Sequence, residues 1–157
     1  MKTKRFLKWI AASLTALMLV LGLGFTALAY VSIDNSRETS LTVQFEKEGT
    51  GFANVQFQIY RVAEVSDMAE FTLTGDFAGY PVSLEDLDSS GWRALAQTLD
   101  AYVGRDSLAP LKTAVTDAAG KAAFEHLPVG LYLVTGDRYE GGDHTYIPEA
   151  FMACLPG

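Results

Sequence analysis

From Ser40 onward the chain places an apolar side chain at every second position, with Leu41, Val43 and Phe45 alternating against Thr42, Gln44 and Glu46. The alternation resumes after the turn-rich "KEGTG", where Val55, Phe57 and Ile59 alternate with Gln56, Gln58 and Tyr60. Period two gives a strand one apolar face, whereas a helix would scatter the same residues around its circumference. Several half-apolar strands can be stable only by burying those faces against one another, so the chain is confined to layered sheet architectures. The two runs and the short turn between them predict a β-hairpin or a close strand pair.

The rest of the chain keeps to this scheme with one interruption. Residues 64–82 hold short β-prone pieces in "EFTLTGDFAGYPV", broken by Gly75, Gly79 and Pro81, as an edge or meandering connection would be. Trp92, Leu95, Leu99 and Tyr102 or Val103 then recur at helical spacing, with Arg93, Gln97 and Asp100 on the other side. The spacing predicts one amphipathic helix over about 89–104, capped by Ser89 or Ser90 and closed by Gly104. Ser83 with Asp86 resembles a small capping box for a preceding turn of helix. The helix's apolar stripe is read as packing on the sheet.

Strands return after Pro110: Thr113–Thr116, a type I turn over "DAAG", then Ala122, Phe124 and Leu127. Pro128-Val-Gly130 makes a tight turn into the apolar run Leu131 to Thr135. "GDRYEGGDH" reads as an exposed loop, and a final strand is expected from about Thr145 to Leu155. The fold class is all-β, an Ig-like or prealbumin-like β-sandwich with one inserted helix.

The first residues address the compartment. Lys2, Lys4, Arg5 and Lys8 precede an almost wholly apolar Ile10 to Phe25, and Ala27-Leu28-Ala29 offers the small residues of a signal peptidase site. Residues 1–29 are therefore expected to be a cleaved signal peptide, residues 30–39 a flexible lead-in, and residues 40–157 one domain. The membrane would be touched only through the signal segment if it stayed uncleaved. Cleavage removes four of the twelve basic residues and none of the nineteen acidic ones, so the remaining 128 residues carry −11. Such a surface repels nucleic acid, which needs a basic patch. The single cysteine, Cys154, rules out an intramolecular disulfide in an oxidising compartment and is read as a small buried residue near the end of the last strand.

Residue types that carry chemistry are sparse. No Gly-x-Ser-x-Gly elbow occurs, and the two histidines, His126 and His144, sit beside a turn and in the glycine-rich loop. Nothing in the spacing pairs Cys154 with His144. Asp137, Glu140, Asp143 and His144 cluster in one loop and could be imagined around a hard cation or zinc. Their order is not that of an EF-hand, and a solvated hairpin carries the same residues. The chain is expected to have no catalytic residues, no metal site and no cofactor.

The run Thr116-Asp-Ala-Ala-Gly120-Lys-Ala122-Ala-Phe124-Glu-His-Leu127-Pro-Val-Gly130-Leu-Tyr132 resembles the pattern T-x-x-x-G-x-A-x-F-x-x-L-x-x-G-x-Y of Gram-positive pilin and surface-adhesin domains, the prealbumin-like, Cna B-type (SpaA-type) modules. "SLTVQF" with "GFANVQFQIYRVAEV" is similar to the opening strands of a pilin N-terminal domain, and "YIPEAFMACLP" to its closing strand. The resemblance spans roughly residues 40–156. It implies a non-enzymatic pilin- or adhesin-like domain at the bacterial cell surface, contributing to a fibre or to attachment. Its partners would be other pilin or surface-protein subunits, or a host or matrix protein. The alternative function is a free secreted module that uses the 136–144 loop for a small ligand or ion.

Many such domains carry an intramolecular isopeptide bond between a lysine on the first strand and an Asn or Asp on the last, assisted by a buried acid. The resemblance puts the acid's place at Gly136 and the lysine's at about Phe45, with Lys47 two residues on as a surface residue of the turn. The last strand holds neither Asn nor Asp, so no such bond is expected. No LPxTG-like sorting motif appears before Gly157, and Lys47, Lys112 and Lys121 lie in no recognisable pilin-linking motif. The expectation is a truncated N-terminal piece or a small secreted relative.

Overall fold

A computed structural model describes residue 34 and residues 36–156. The expected signal segment lies outside these residues. The elements in order are β1 (Glu38–Gln44), β2 (Glu46–Lys47), β3 (Thr50–Gly51), β4 (Gln56–Val65), β5 (Phe71–Leu73) and a short 3-10 turn (Gly75–Phe77). Then come α1 (Ser89–Asp106), β6 (Lys112–Val115), β7 (Lys121–Pro128) and β8 (Gly130–Gly136). The last three strands are β9 (Tyr139–Gly141), β10 (His144–Tyr146) and β11 (Phe151–Leu155).

Three layers result. β1 and β7 form an antiparallel ribbon. It packs on a five-stranded sheet ordered β11-β8-β4-β5, with β6 paired to the early half of β4. The first core lies between ribbon and sheet, built on Val43, Phe57, Ile59, Phe124, Leu127 and Tyr132. The second lies between sheet and helix, built on Tyr60, Val62, Leu95, Leu99, Leu131 and Leu133. β4 and β8 are covered on both faces. That is why Leu131 to Val134 is a continuous apolar run, all buried, while β1 alternates. The architecture is the all-β sandwich with one inserted helix.

Several sequence expectations need correction. β1 and β4 do not pair with each other; β1 pairs with β7 and β4 with β8, so the predicted hairpin is replaced by a strand pair in each of two layers. The tight hairpin is the small β2–β3 pair, Lys47 opposite Thr50. β1 begins at Glu38, two residues before the expected start. Pro128-Val-Gly130 is a corner that carries the chain from the ribbon to the sheet.

The helix runs two residues past Gly104, and its N-cap is Asp88, whose carboxylate accepts from the Gly91 N–H at 2.8 Å. It ends at Ser107, which adopts a left-handed φ of 52°. The helical turn expected at Ser83–Asp86 does not form: Asp86 has φ 56°, and the Ser83 hydroxyl accepts from the Glu85 N–H in an irregular stretch. The last strand is not continuous from Thr145. Residues 147–150 are irregular between β10 and β11, at Pro148, which has no N–H to donate.

Candidate functional site

The motif residues turn out to be the mechanical centre of the sandwich. Thr116 is 2% exposed; its hydroxyl donates to the Phe52 carbonyl at 2.6 Å and accepts from the Val55 N–H at 2.9 Å. Its backbone is paired as well, donating to Val55 and accepting from Asn54. Asp117 shapes the turn with carboxylate bonds from the N–H groups of Ala119 and Lys121, which hold its pKa below the ordinary value. Gly120 closes it at φ +84°, where a Cβ would run into the Phe45 carbonyl, while the Phe45 N–H donates to Gly120 at 2.7 Å. Ala122, Phe124 and Leu127 fill the first core. Tyr132 is buried, and its hydroxyl donates to the Pro128 carbonyl at 2.6 Å, locking the corner. Arg61 reaches the same corner and donates to the Val129 carbonyl.

The residues weighed for catalysis are scattered. His126 adopts φ +59° and pairs through Nδ1 with Glu38 at 3.0 Å, at the end of the sandwich where β1 begins. His144 sits with Tyr146 on the β9–β10 hairpin, which stacks on Phe52 at the opposite end, beyond the seven residues or roughly 20 Å of β1. Cys154 is exposed, contrary to the sequence reading. On β11 it lies opposite Leu131, facing the helix layer beyond the part of the sheet that α1 covers. Partial burial pushes its thiol pKa up, away from the thiolate.

The glycine-rich loop is more ordered than its composition suggests. β9 and β10 pair, and Tyr139 and Tyr146 both stack on Phe52, with centroids 4.5 and 4.8 Å away. Lys47 caps Tyr146 with its ammonium 5.2 Å from the ring centroid. The acidic side chains point to separate partners: Asp137 accepts from Gln58, Glu140 pairs with Arg138, and Asp143 pairs with His144. Among the described residues no three His, Cys, Asp or Glu side chains gather as a metal site would require.

The two positions assigned to the lysine and acid of an isopeptide set do meet. Phe45 packs edge-on against Phe57 at 5.7 Å, and a Cβ on Gly136 would lie 2.5 Å from the same Phe57 ring. Phe52 adds a third ring, 4.9 Å from Phe45. An aromatic cluster occupies that end of the core.

The sequence did not point to a concave surface on the helix side. A cavity of about 300 Å³ is lined by Phe71, Trp92, Leu131, Met152 and Cys154. An adjoining one of about 420 Å³ runs along Trp92, Met152 and Phe151 to the Arg93–Glu149 ion pair. Phe71 meets Trp92 edge-on at 6.0 Å. The available signal was the pair Met152 and Cys154, which share one face of a strand that has no charged side chain.

No family model matches the chain, and no curated protein matches it. Among solved structures it is similar to the fimbrial protein FimP from Actinomyces oris, at 24% identity over 80% of this chain and 26% of that one, with a TM-score of 0.44. It is also similar to the full-length major pilin SpaD from Corynebacterium diphtheriae, at 22% identity over 80% of this chain and 26% of SpaD, with a TM-score of 0.41. The SpaB basal pilin from Lactobacillus rhamnosus GG matches at 14% identity over 74% of this chain and 82% of SpaB, with a TM-score of 0.39. The chain is similar to Gram-positive pilins, and it spans about a quarter of the length of the first two.

Proposed function

We propose that this chain is an exported, non-enzymatic domain of pilin or adhesin type that contributes to a cell-surface fibre or to attachment. The observation that carries the reading is the coincidence of motif and mechanics. Thr116, Gly120, Phe124, Leu127, Gly130 and Tyr132, the residues that resemble the pilin pattern, are those that join ribbon to sheet. The arrangement of the ends supports it. Arg37, Glu38 and Pro156 line one cleft, so the described chain enters and leaves at the same end of the sandwich. The β2–β3 and β9–β10 hairpins stand at the other end, free to meet a partner.

The partners in this reading are other pilin or surface-protein subunits, or a host or matrix protein. The test is fractionation of the producing cells with an antibody to the domain. Envelope-bound material is the expected result. Recovery of the whole pool as free chain in the medium would overturn the proposal.

A further inference from the structure

We infer that the outer edge of β11 is a self-association surface, at which two copies pair antiparallel about a twofold axis and join their sheets into one. β11 is terminal in the five-stranded sheet: one side pairs with β8, and among the described residues no strand pairs with the other. The other outer strands are blunted in the usual ways. β5 has three residues and follows Glu70, β6 carries Lys112, and β1 is polar at Glu38, Thr39, Ser40, Thr42 and Gln44. β11 reads Phe-Met-Ala-Cys-Leu, without a charge or a polar group larger than a thiol.

Its surroundings favour a second copy as the occupant. The chain is strongly acidic, so a surface that meets its own image must keep like charges out of the contact. β11 does so. The acid closest to it in sequence, Glu149, is neutralised by a two-pronged bond from Arg93, and Glu38, in the cleft beside Pro156, is paired with His126. Ile147 and Phe151, 71% and 37% exposed, add apolar area on the approach to the strand. The hollow between Trp92, Met152 and Cys154 can take side chains from the facing strand. With Ala153 on the axis, Cys154 of one copy faces Met152 of the other, so both hollows close together. The inference does not depend on the fibre reading: a free secreted chain would carry the same edge.

The test is the mass of the exported chain by light scattering or sedimentation under reducing conditions, up to about 1 mM, the weak end of specific association. The wild type and Cys154→Ser are expected to form dimers that dissociate on dilution. Cys154→Lys, a charge at an exposed site, is expected to weaken the dimer at least tenfold while its melting stays cooperative. Three results would overturn the inference. They are a wild-type monomer across the whole range, a dimer unaffected by Cys154→Lys, and a dimer that exists only when oxidised and disappears in Cys154→Ser.

Discussion

Replacing Thr116 by valine keeps the shape of the side chain and removes only its hydroxyl. The Phe52 carbonyl and the Val55 N–H would then both lose their bond to it in a region where Thr116 is 2% and Val55 3% exposed. A buried backbone group left without a partner costs about 1–3 kcal/mol, so two give about 2–6 kcal/mol. For a domain of this size each kcal/mol lowers the melting temperature by about 3–5 °C, which puts Thr116→Val about 15 °C below wild type, within bounds of about 6–30 °C. Thr116→Ser is the control: it keeps both bonds, loses one methyl and should cost about 1 kcal/mol. Thermal and urea unfolding of the three forms measure the difference. If valine matched or exceeded serine in stability, the hydroxyl stitch would not be what holds β6 and the β3–β4 segment together.

Three further expectations can be measured on the same material. Gly120→Ala should cost about 2 kcal/mol or more, because strain at φ +84° is joined by the clash with the Phe45 carbonyl; Gly49→Ala, at φ +82° with open space around it, should cost about 1 kcal/mol, and equal losses would refute the contact argument. Bonds from Arg105 and then Tyr80 hold the Asp106 carboxyl at about 2, below its ordinary 3.8. A depressed folded pKa gives stability that is complete above the ordinary value and is lost as pH falls through the folded one, so the advantage of wild type over Asp106→Asn should shrink between pH 4 and pH 2; a pH-independent gap would refute it. Calcium or zinc at about 1 mM should leave the melting temperature unchanged to within about 1 °C, since Asp137, Glu140 and Asp143 are each tied to a different partner; a saturable rise would revive the ion-binding alternative.

What was legible in the sequence was local. The alternation of Leu41, Val43 and Phe45, the turn at Asp117–Gly120 and the helical spacing of Trp92, Leu95 and Leu99 each depend on neighbours within a few residues. Strand partnership does not. β1 meets β7 some eighty residues later, and nothing in either run distinguishes that pairing from the nearer β4. Gly104 suggested a helix end by residue type, yet nothing stands within 4 Å of where its Cβ would be and the helix passes through it. Cys154 was judged by the habits of its type; its exposure is set by how far along the sheet α1 extends, which no short window contains. The loop at 136–144 looks solvated in the sequence because nothing near Tyr139 shows that its ring, like that of Tyr146 on the expected last strand, stacks on Phe52, which lies more than eighty residues upstream.

That aromatic end bears on how a sandwich with one cysteine stays closed. Phe45 leaves the ribbon just after β1, Phe57 sits on the sheet, and Phe52 and the β9–β10 tyrosines cover the gap, with five rings in sequential contact. Edge-on and stacked pairs are each worth about 0.5–1.5 kcal/mol beyond their burial, so four contacts give a few kcal/mol, comparable to one disulfide. Unlike a covalent link, such a clasp can open and close, and it asks for a small residue where Gly136 admits the Phe57 ring. An acid at position 136 would have to displace that ring, and a lysine at position 45 would remove the ring packed against it. Phe45, Phe57 and Gly136 therefore form a self-consistent set, and a polar side chain brought in at position 45 or 136 alone gives up a packed aromatic contact beside the buried Phe57.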